Sequence, residues 1–268
     1  LAAKLTGIKV IWHLNDTMMP LIFKVIFGLL SKYADSYIYA SERTKSYYEK
    51  YCDKSKSSAV IPAPVDTIKF SQDYEIKLDR DFEQICHEKM VVGMVANINP
   101  VKGIDTFVKV ARTFSESMPE VVFVVVGPTH KNQLEYFKSV KKINSMKPIG
   151  NVVFLDARED VRPFLKRFDI YLCTSRAESS PLSVWEAMSM GKPIVSTNVG
   201  DVPLYVKHKI NGFIAETEDY KSLGSYIAIL LQKPSMRTAF GQNSREIAIN
   251  ELDISICSKR HIDAYLSV

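Results

Sequence analysis

Between residues 90 and 217 the chain alternates short β-rich runs with segments of helical period, a pattern that few architectures accept. The runs at 91–98, 121–127, 151–156, 169–175, 193–198 and 213–217 read as strands. Between the first two, Ile104, Phe107, Val108, Ala111 and Phe114 recur at helical spacing, and Leu134, Phe137, Val140 and Ile143 mark the next helix. A short helix follows at 161–168, another runs from 181 to about 190 and stops at Gly191, and two more cover 220–231 and 236–249. This order predicts a doubly wound parallel sheet, in which ligands bind beyond the carboxyl ends of the strands.

The first 63 residues repeat the theme on a smaller scale. Strands are expected at 8–14, 36–41 and 58–63, with helices at 20–33 and 42–51, the first opening at Pro20. Three strands are too few for a complete sheet domain, and the chain begins at Leu1, so a front portion is expected to be missing. Residues 66–90 are charged and aperiodic and read as an unstructured linker. Asp79-Arg80-Asp81 has a metal-binding spelling, but in such a run it reads as solvated charge.

Composition narrows the class. The 46% hydrophobic and 24% charged content of the 268 residues fits a soluble globular protein of one large or two ordinary domains. The net charge of +5 suits an anionic ligand or an acidic membrane surface. No basic stripe with interleaved aromatics is present, so nucleic acid is not an expected partner. Cys52, Cys86, Cys173 and Cys257 lack metal or redox spacing and suit a reducing cytoplasm, with Cys173 read as a buried small hydrophobe. The apolar stretch 18–30 is interrupted by Pro20 and Lys24 and falls short of the ~20 residues of a spanning helix. It reads as a core helix, with peripheral membrane contact as the second reading.

Residues 174–188, TSRAESSPLSVWEAM, carry the chemistry. Glu178 follows a strand end and Glu186 lies about a turn into the next helix, so both carboxylates can face the strand-end crevice. Ser180 is expected to N-cap that helix with Pro181 in its first position, leaving first-turn amides for an anion such as a diphosphate. Ser183-x-x-Glu186 also spells a capping box, which would tie Glu186 to a backbone amide instead.

The run ESSPLSVWEAMSMGKPIVSTNVGDVPLYV, followed by NGF, resembles the donor-site signature of glycosyltransferase family 4 with its E-x7-E motif. NINPVKGID at 97–105 is similar to that family's lysine-bearing loop, and VIPAPVDTIKF at 60–70 to its interdomain boundary. The resemblance runs from about residue 8 to the end. It implies a GT-B fold of two Rossmann-like domains, the first one incomplete here. Residues 1–70 would be the C-terminal half of the acceptor-side domain, 71–90 the linker and 91–250 the donor-binding domain, with 251–268 a helix crossing back.

The same resemblance implies a retaining glycosyltransferase that moves a sugar from a nucleoside diphosphate sugar to a glycan or lipid-linked hydroxyl. Neither cofactor nor metal is expected, and the enzyme would be cytoplasmic, with the inner membrane face as its place of peripheral contact. The alternative is a non-catalytic nucleotide-sugar-binding module. Glu178 would sit against the transferring sugar, Lys102 would neutralise the diphosphate, Glu186 would accept from the ribose hydroxyls, and the backbone around Ser180, Pro181 and Leu182 would cradle the distal phosphate with its free amides. Asn97 stands where the family often has arginine, so Arg158 or Arg176 would have to compensate, and Ser179-Ser180 replaces a common Gly-Phe, with both serines expected to bind the donor through amides and hydroxyls. The family's acceptor-side histidine corresponds to His13, two residues ahead of the position that strict alignment gives to Asn15.

Overall fold

A computed structural model describes residues 2–17, 19–73, 75, 77, 80–147 and 151–268. Met18 of the apolar stretch and Asp79 of the acidic spelling lie outside the described residues. The chain opens with α1 (Ala2–Leu5), β1 (Ile11–Leu14), α2 (Leu21–Ser31), β2 (Ser36–Tyr39), α3 (Glu42–Tyr48) and β3 (Ser57–Val60). Its three strands form a parallel sheet in the order β1-β2-β3. A second series follows: α4 (Arg80–Cys86), β4 (Met90–Val95), α5 (Ile104–Arg112), β5 (Val121–Val126), α6 (Leu134–Ser145), β6 (Val152–Leu155), α7 (Arg162–Arg167) and β7 (Ile170–Cys173). It continues with α8 (Leu182–Ser189), β8 (Ile194–Thr197), α9 (Val202–Tyr205), β9 (Gly212–Ala215), α10 (Tyr220–Gln232) and α11 (Pro234–Ile247). A π turn over Ala248–Leu252 leads into α12 (Ile254–Leu266).

The larger sheet has the order β6-β5-β4-β7-β8-β9 with every pairing parallel. Its connectivity reverses direction between β4 and β7, which opens a crevice at their carboxyl ends. The sequence VVFVVV of β5 explains why both faces must be covered. Val122, Val124 and Val126 enter one core with Trp185 and Met188 of α8, while Val121, Phe123 and Val125 enter the other with Phe107 of α5. Each fully buried Val, Leu or Phe stabilises by roughly 1.5–3 kcal/mol relative to exposure.

The final helix packs on the small sheet. Cys257 and Ala264 meet Ile38 and Ile61, and the backbone of Val65 bonds to Leu252 and Ile254 at 2.9 and 3.0 Å.

Two sequence expectations are corrected. The segment 66–90 is not without structure, because α4 buries Phe82 and Cys86, with the Phe82 ring 4.8 Å from that of Phe164. Two apolar residues at i and i+4 among charges give little periodicity, yet they suffice once a neighbouring core receives them. Likewise, α2 is not a core helix. Ile22 and Val25 are 72% and 70% exposed, and Phe23, Ile26, Leu29 and Leu30 are exposed too. Among the described residues no helix is long and apolar enough to cross a membrane.

Candidate active site

The crevice is built first by the turn after β4. Asn99 accepts the Lys102 amide through Oδ1 at 3.0 Å and so caps a 3-10 turn over Pro100–Lys102. Gly103 ends that turn at φ +62°, where a Cβ would lie 2.1 Å from the Thr174 carbonyl oxygen at the end of β7. Only glycine meets both demands. Gly103→Ala is therefore expected to cost at least ~1–2 kcal/mol and to dislodge the lysine turn, read as a lowered melting temperature.

The tight turn sets Lys102 Nζ 2.6 Å from Glu178 Oε1, which also accepts from Ser175 Oγ at 2.7 Å. The side chains of Lys102 and Glu178 are 26% and 13% exposed, so the pair faces the crevice without lying open. Gly200 fixes the Glu178 loop from beneath: at φ +52° its Cβ would lie 2.3 Å from the Ser179 carbonyl, which accepts the Asp201 amide at 2.9 Å.

Arg176 does not compensate for Asn97. Its guanidinium holds Asp105 through two bonds of 2.9 and 2.8 Å and Glu218 through one of 2.8 Å. Burial raises the Asp105 pKa, but bonds from Arg176 and Tyr136 outweigh it and bring the carboxyl to about 2. Arg176 thus fastens the loops around the crevice rather than supplying charge to it.

The start of α8 also differs from expectation. Pro181 is itself the cap residue, at φ −76° and ψ 97°, and no side chain closes the cap. Ser180 is occupied elsewhere: its Oγ accepts the Ala63 amide at 2.9 Å and Trp185 Nε1 at 3.0 Å. The capping box does not form either, since Ser183 lies inside the helix. Burial pushes the Glu186 carboxyl up to about 7 against the opposing influence of Lys69. No hydrogen bond or ion pair reaches it among the described residues.

Lys102, Glu178 and Glu186 line one cavity of about 520 Å³ together with Asn97 and Arg158. Ser180, Pro181 and Leu182 complete it along the start of α8. Arg158 lies with its guanidinium 5.8 Å from the Phe164 ring and is a second cation at this cavity. Ser179 and His13 are not in it. They line an adjoining cavity of about 640 Å³ between the two sheets, and Glu178 and Ser180 belong to both.

His13 is held there by the last helix, Nε2 3.1 Å from Tyr265 Oη and its ring stacked at 5.6 Å on His261. Its pKa is lowered, by burial first and then by His261. The sequence reading missed His261 and Tyr265, although their i,i+4 spacing on an expected helix was a usable signal. Among the described residues no group of three or more His, Cys, Asp or Glu is placed to hold a metal ion.

Comparisons with known proteins bear on this geometry. A Campylobacter jejuni N,N'-diacetylbacillosaminyl-diphospho-undecaprenol alpha-1,3-N-acetylgalactosaminyltransferase is 24% identical over 254 residues, 92% of this chain and 64% of that protein. The Pyrococcus horikoshii trehalose synthase is 26% identical, over 87% of this chain and 56% of that protein. The chain thus spans about three fifths of the length of these curated relatives. The structure of Anabaena HepE in complex with UDP and glucose superposes with a TM-score of 0.86 at 20% identity, over all of this chain and 74% of that one. The likeness confirms the two-domain GT-B fold. Residues 75–247, more than half of the chain, match the family model described as glycosyl transferases group 1. With that match laid over the strand-end crevice, the chain belongs to the group 1 glycosyl transferases.

Proposed function

We propose that the 520 Å³ cavity is the donor site of a retaining transferase and that the adjoining cavity receives the acceptor. One observation carries this reading: two cations and Glu178 from separate loops converge with Glu186 of α8 beside the start of that helix, at the reversal point of the larger sheet. The diphosphate of a nucleoside diphosphate sugar would take Lys102 from Glu178, with Arg158 as the second cation and Asn97 as a neutral neighbour. Amides at the start of α8 would hold the distal phosphate. Glu186 would accept from the ribose hydroxyls. Glu178, shared by the two cavities, would hold the sugar hydroxyls and stabilise positive charge at the anomeric carbon.

In the transfer step the bond from the anomeric carbon to the diphosphate oxygen breaks. The acceptor oxygen bonds to the same face of that carbon, and its proton passes to the leaving diphosphate. The UDP in the HepE structure favours a uridine nucleotide, and the Campylobacter relative favours a lipid-linked acceptor. The exposed apolar side of α2, with Lys24 within it and Lys32 at its end, supports peripheral contact with an anionic membrane on the cytoplasmic side.

The test is to incubate the protein with UDP-sugars and a lipid-linked glycan and to determine the anomeric configuration of the product by NMR. An α-linkage from an α-configured donor is expected. A β-linkage would overturn retention, and nucleotide binding without any transfer would leave a binding module.

A further inference from the structure

Beside the proposed donor site, three of the polar contacts among the described residues join the part of the chain built on the small sheet to the part built on the large one. Ala63 donates its amide to Ser180 Oγ at 2.9 Å, Thr44 Oγ1 donates to Ser179 Oγ at 3.4 Å, and Glu42 donates its amide to Asp201 Oδ1 at 3.1 Å. Ser179 and Ser180 form the loop itself, and Asp201 is bonded to it from below through the Ser179 carbonyl. Part of the joint between the two halves therefore runs through the proposed phosphate loop.

At Ser180 this has a chemical consequence. A serine hydroxyl has one proton to donate and two lone pairs to accept with. The Ala63 amide and Trp185 Nε1–H take both lone pairs, the first from the small-sheet half and the second from the buried side of α8. The proton is left over. No acceptor for it exists among the described residues, and Ser180 lines both cavities beside Glu178. The proton is left to face the cavities that Ser180 lines. Were the halves to separate at Ala63, a lone pair would fall free and the hydroxyl could turn away.

We infer that Ser180 is a phosphate-binding hydroxyl, aimed at the distal phosphate of the donor by the Ala63 contact, so that donor occupancy and closure of the two halves are coupled. The inference rests on the donor-site reading above. It makes the serine at 180 a functional difference from the phenylalanine common in the resembled signature. That side chain has no hydroxyl to receive the Ala63 amide or to bond a phosphate.

The experiment compares the affinities of uridine, guanosine and adenosine diphosphates with those of the matching monophosphates in wild type, Ser180→Ala and Ser180→Thr. Wild type should prefer the diphosphate of its base. Ser180→Ala should lose about tenfold or more of that preference, as expected for one hydrogen bond to a charged group, and Ser180→Thr should restore it. A general loss of packing in Ser180→Ala would weaken both nucleotides equally and leave their ratio alone. Hydrogen exchange over residues 60–66 gives the second arm: diphosphate should slow it in wild type and in Ser180→Thr, but not in Ser180→Ala. An unchanged preference in Ser180→Ala overturns the inference while leaving the donor site standing. Failure of wild type to bind any of the six nucleotides overturns both.

Discussion

Glu178→Gln should lower the rate of sugar transfer by a factor of 10²–10³ while leaving nucleoside diphosphate affinity unchanged or improved. The amide keeps the shape and can still accept from Ser175, but it carries no charge to set against an anomeric carbon becoming positive. Stabilisation of this kind is commonly worth ~3–4 kcal/mol of barrier. The binding half follows from the 2.6 Å bond between Lys102 and Glu178. A diphosphate must draw Lys102 away from that carboxylate, and in the variant this competition is gone. Lys102→Ala should show the opposite pattern, with diphosphate affinity lost and monophosphate affinity affected less. Steady-state kinetics with parallel binding titrations separates the two. A Glu178→Gln variant that loses affinity and rate in equal measure would place Glu178 in the binding of the nucleotide rather than in the transfer step.

Glu186→Gln should separate stability from binding through pH. The carboxyl has a pKa of about 7 in the folded chain against 4.5 for the free side chain, because burial disfavours its charge. A carboxyl raised on folding contributes stability that is fully present below pH 4.5 and is lost as the pH rises to 7. Above that window the ionised, buried Glu186 opposes folding, and glutamine removes the penalty. The variant should match wild type near pH 4 and exceed it above pH 7 by roughly 1–3 kcal/mol. Thermal unfolding should show several degrees for a chain of this size. In wild type, nucleotide affinity should rise as Glu186 ionises, since the carboxylate accepts from ribose hydroxyls. In the variant it should be weaker and flat with pH. Stability curves that stay parallel from pH 4 to 8 would contradict this account of Glu186.

The crevice was legible in the sequence from periodicity, while the residues that line it were implied by the family resemblance. Strand β7 ends just before Glu178 and α8 carries Glu186, so spacing allowed both to face one crevice, but it was the resemblance of the surrounding run to the donor-site signature that singled them out. Lys102 and Asn97 were implied by the resemblance of 97–105 to the family's lysine-bearing loop, and they lie after β4, the strand paired with β7 across the reversal point. What escaped depends on contacts that sequence distance conceals. The Lys102–Glu178 bond joins residues 76 apart, and Arg176 is taken by Asp105, 71 residues away. Charge counting could not tell a cation that faces the ligand from one that ties two loops.

The start of α8 was misread for a related reason. Local preference favours serine as a cap, but the Ser180 hydroxyl makes better use of a backbone amide 117 residues away in the other half. The exposed side of α2 shows the reverse limit: its apolar residues signalled burial, whereas the fold shown here leaves them uncovered.

The most direct test of the donor site is a thermal-shift titration of wild type, Glu186→Ala and Lys102→Ala with UDP, GDP and ADP. A ligand confined to the folded state adds about 2.7 kcal/mol at a hundredfold excess over its Kd, or roughly 5–10 °C here. The account predicts such a shift for one nucleotide in wild type and its loss in both variants. A shift that persists undiminished in both, or no shift with any nucleotide in folded wild-type protein, would contradict it.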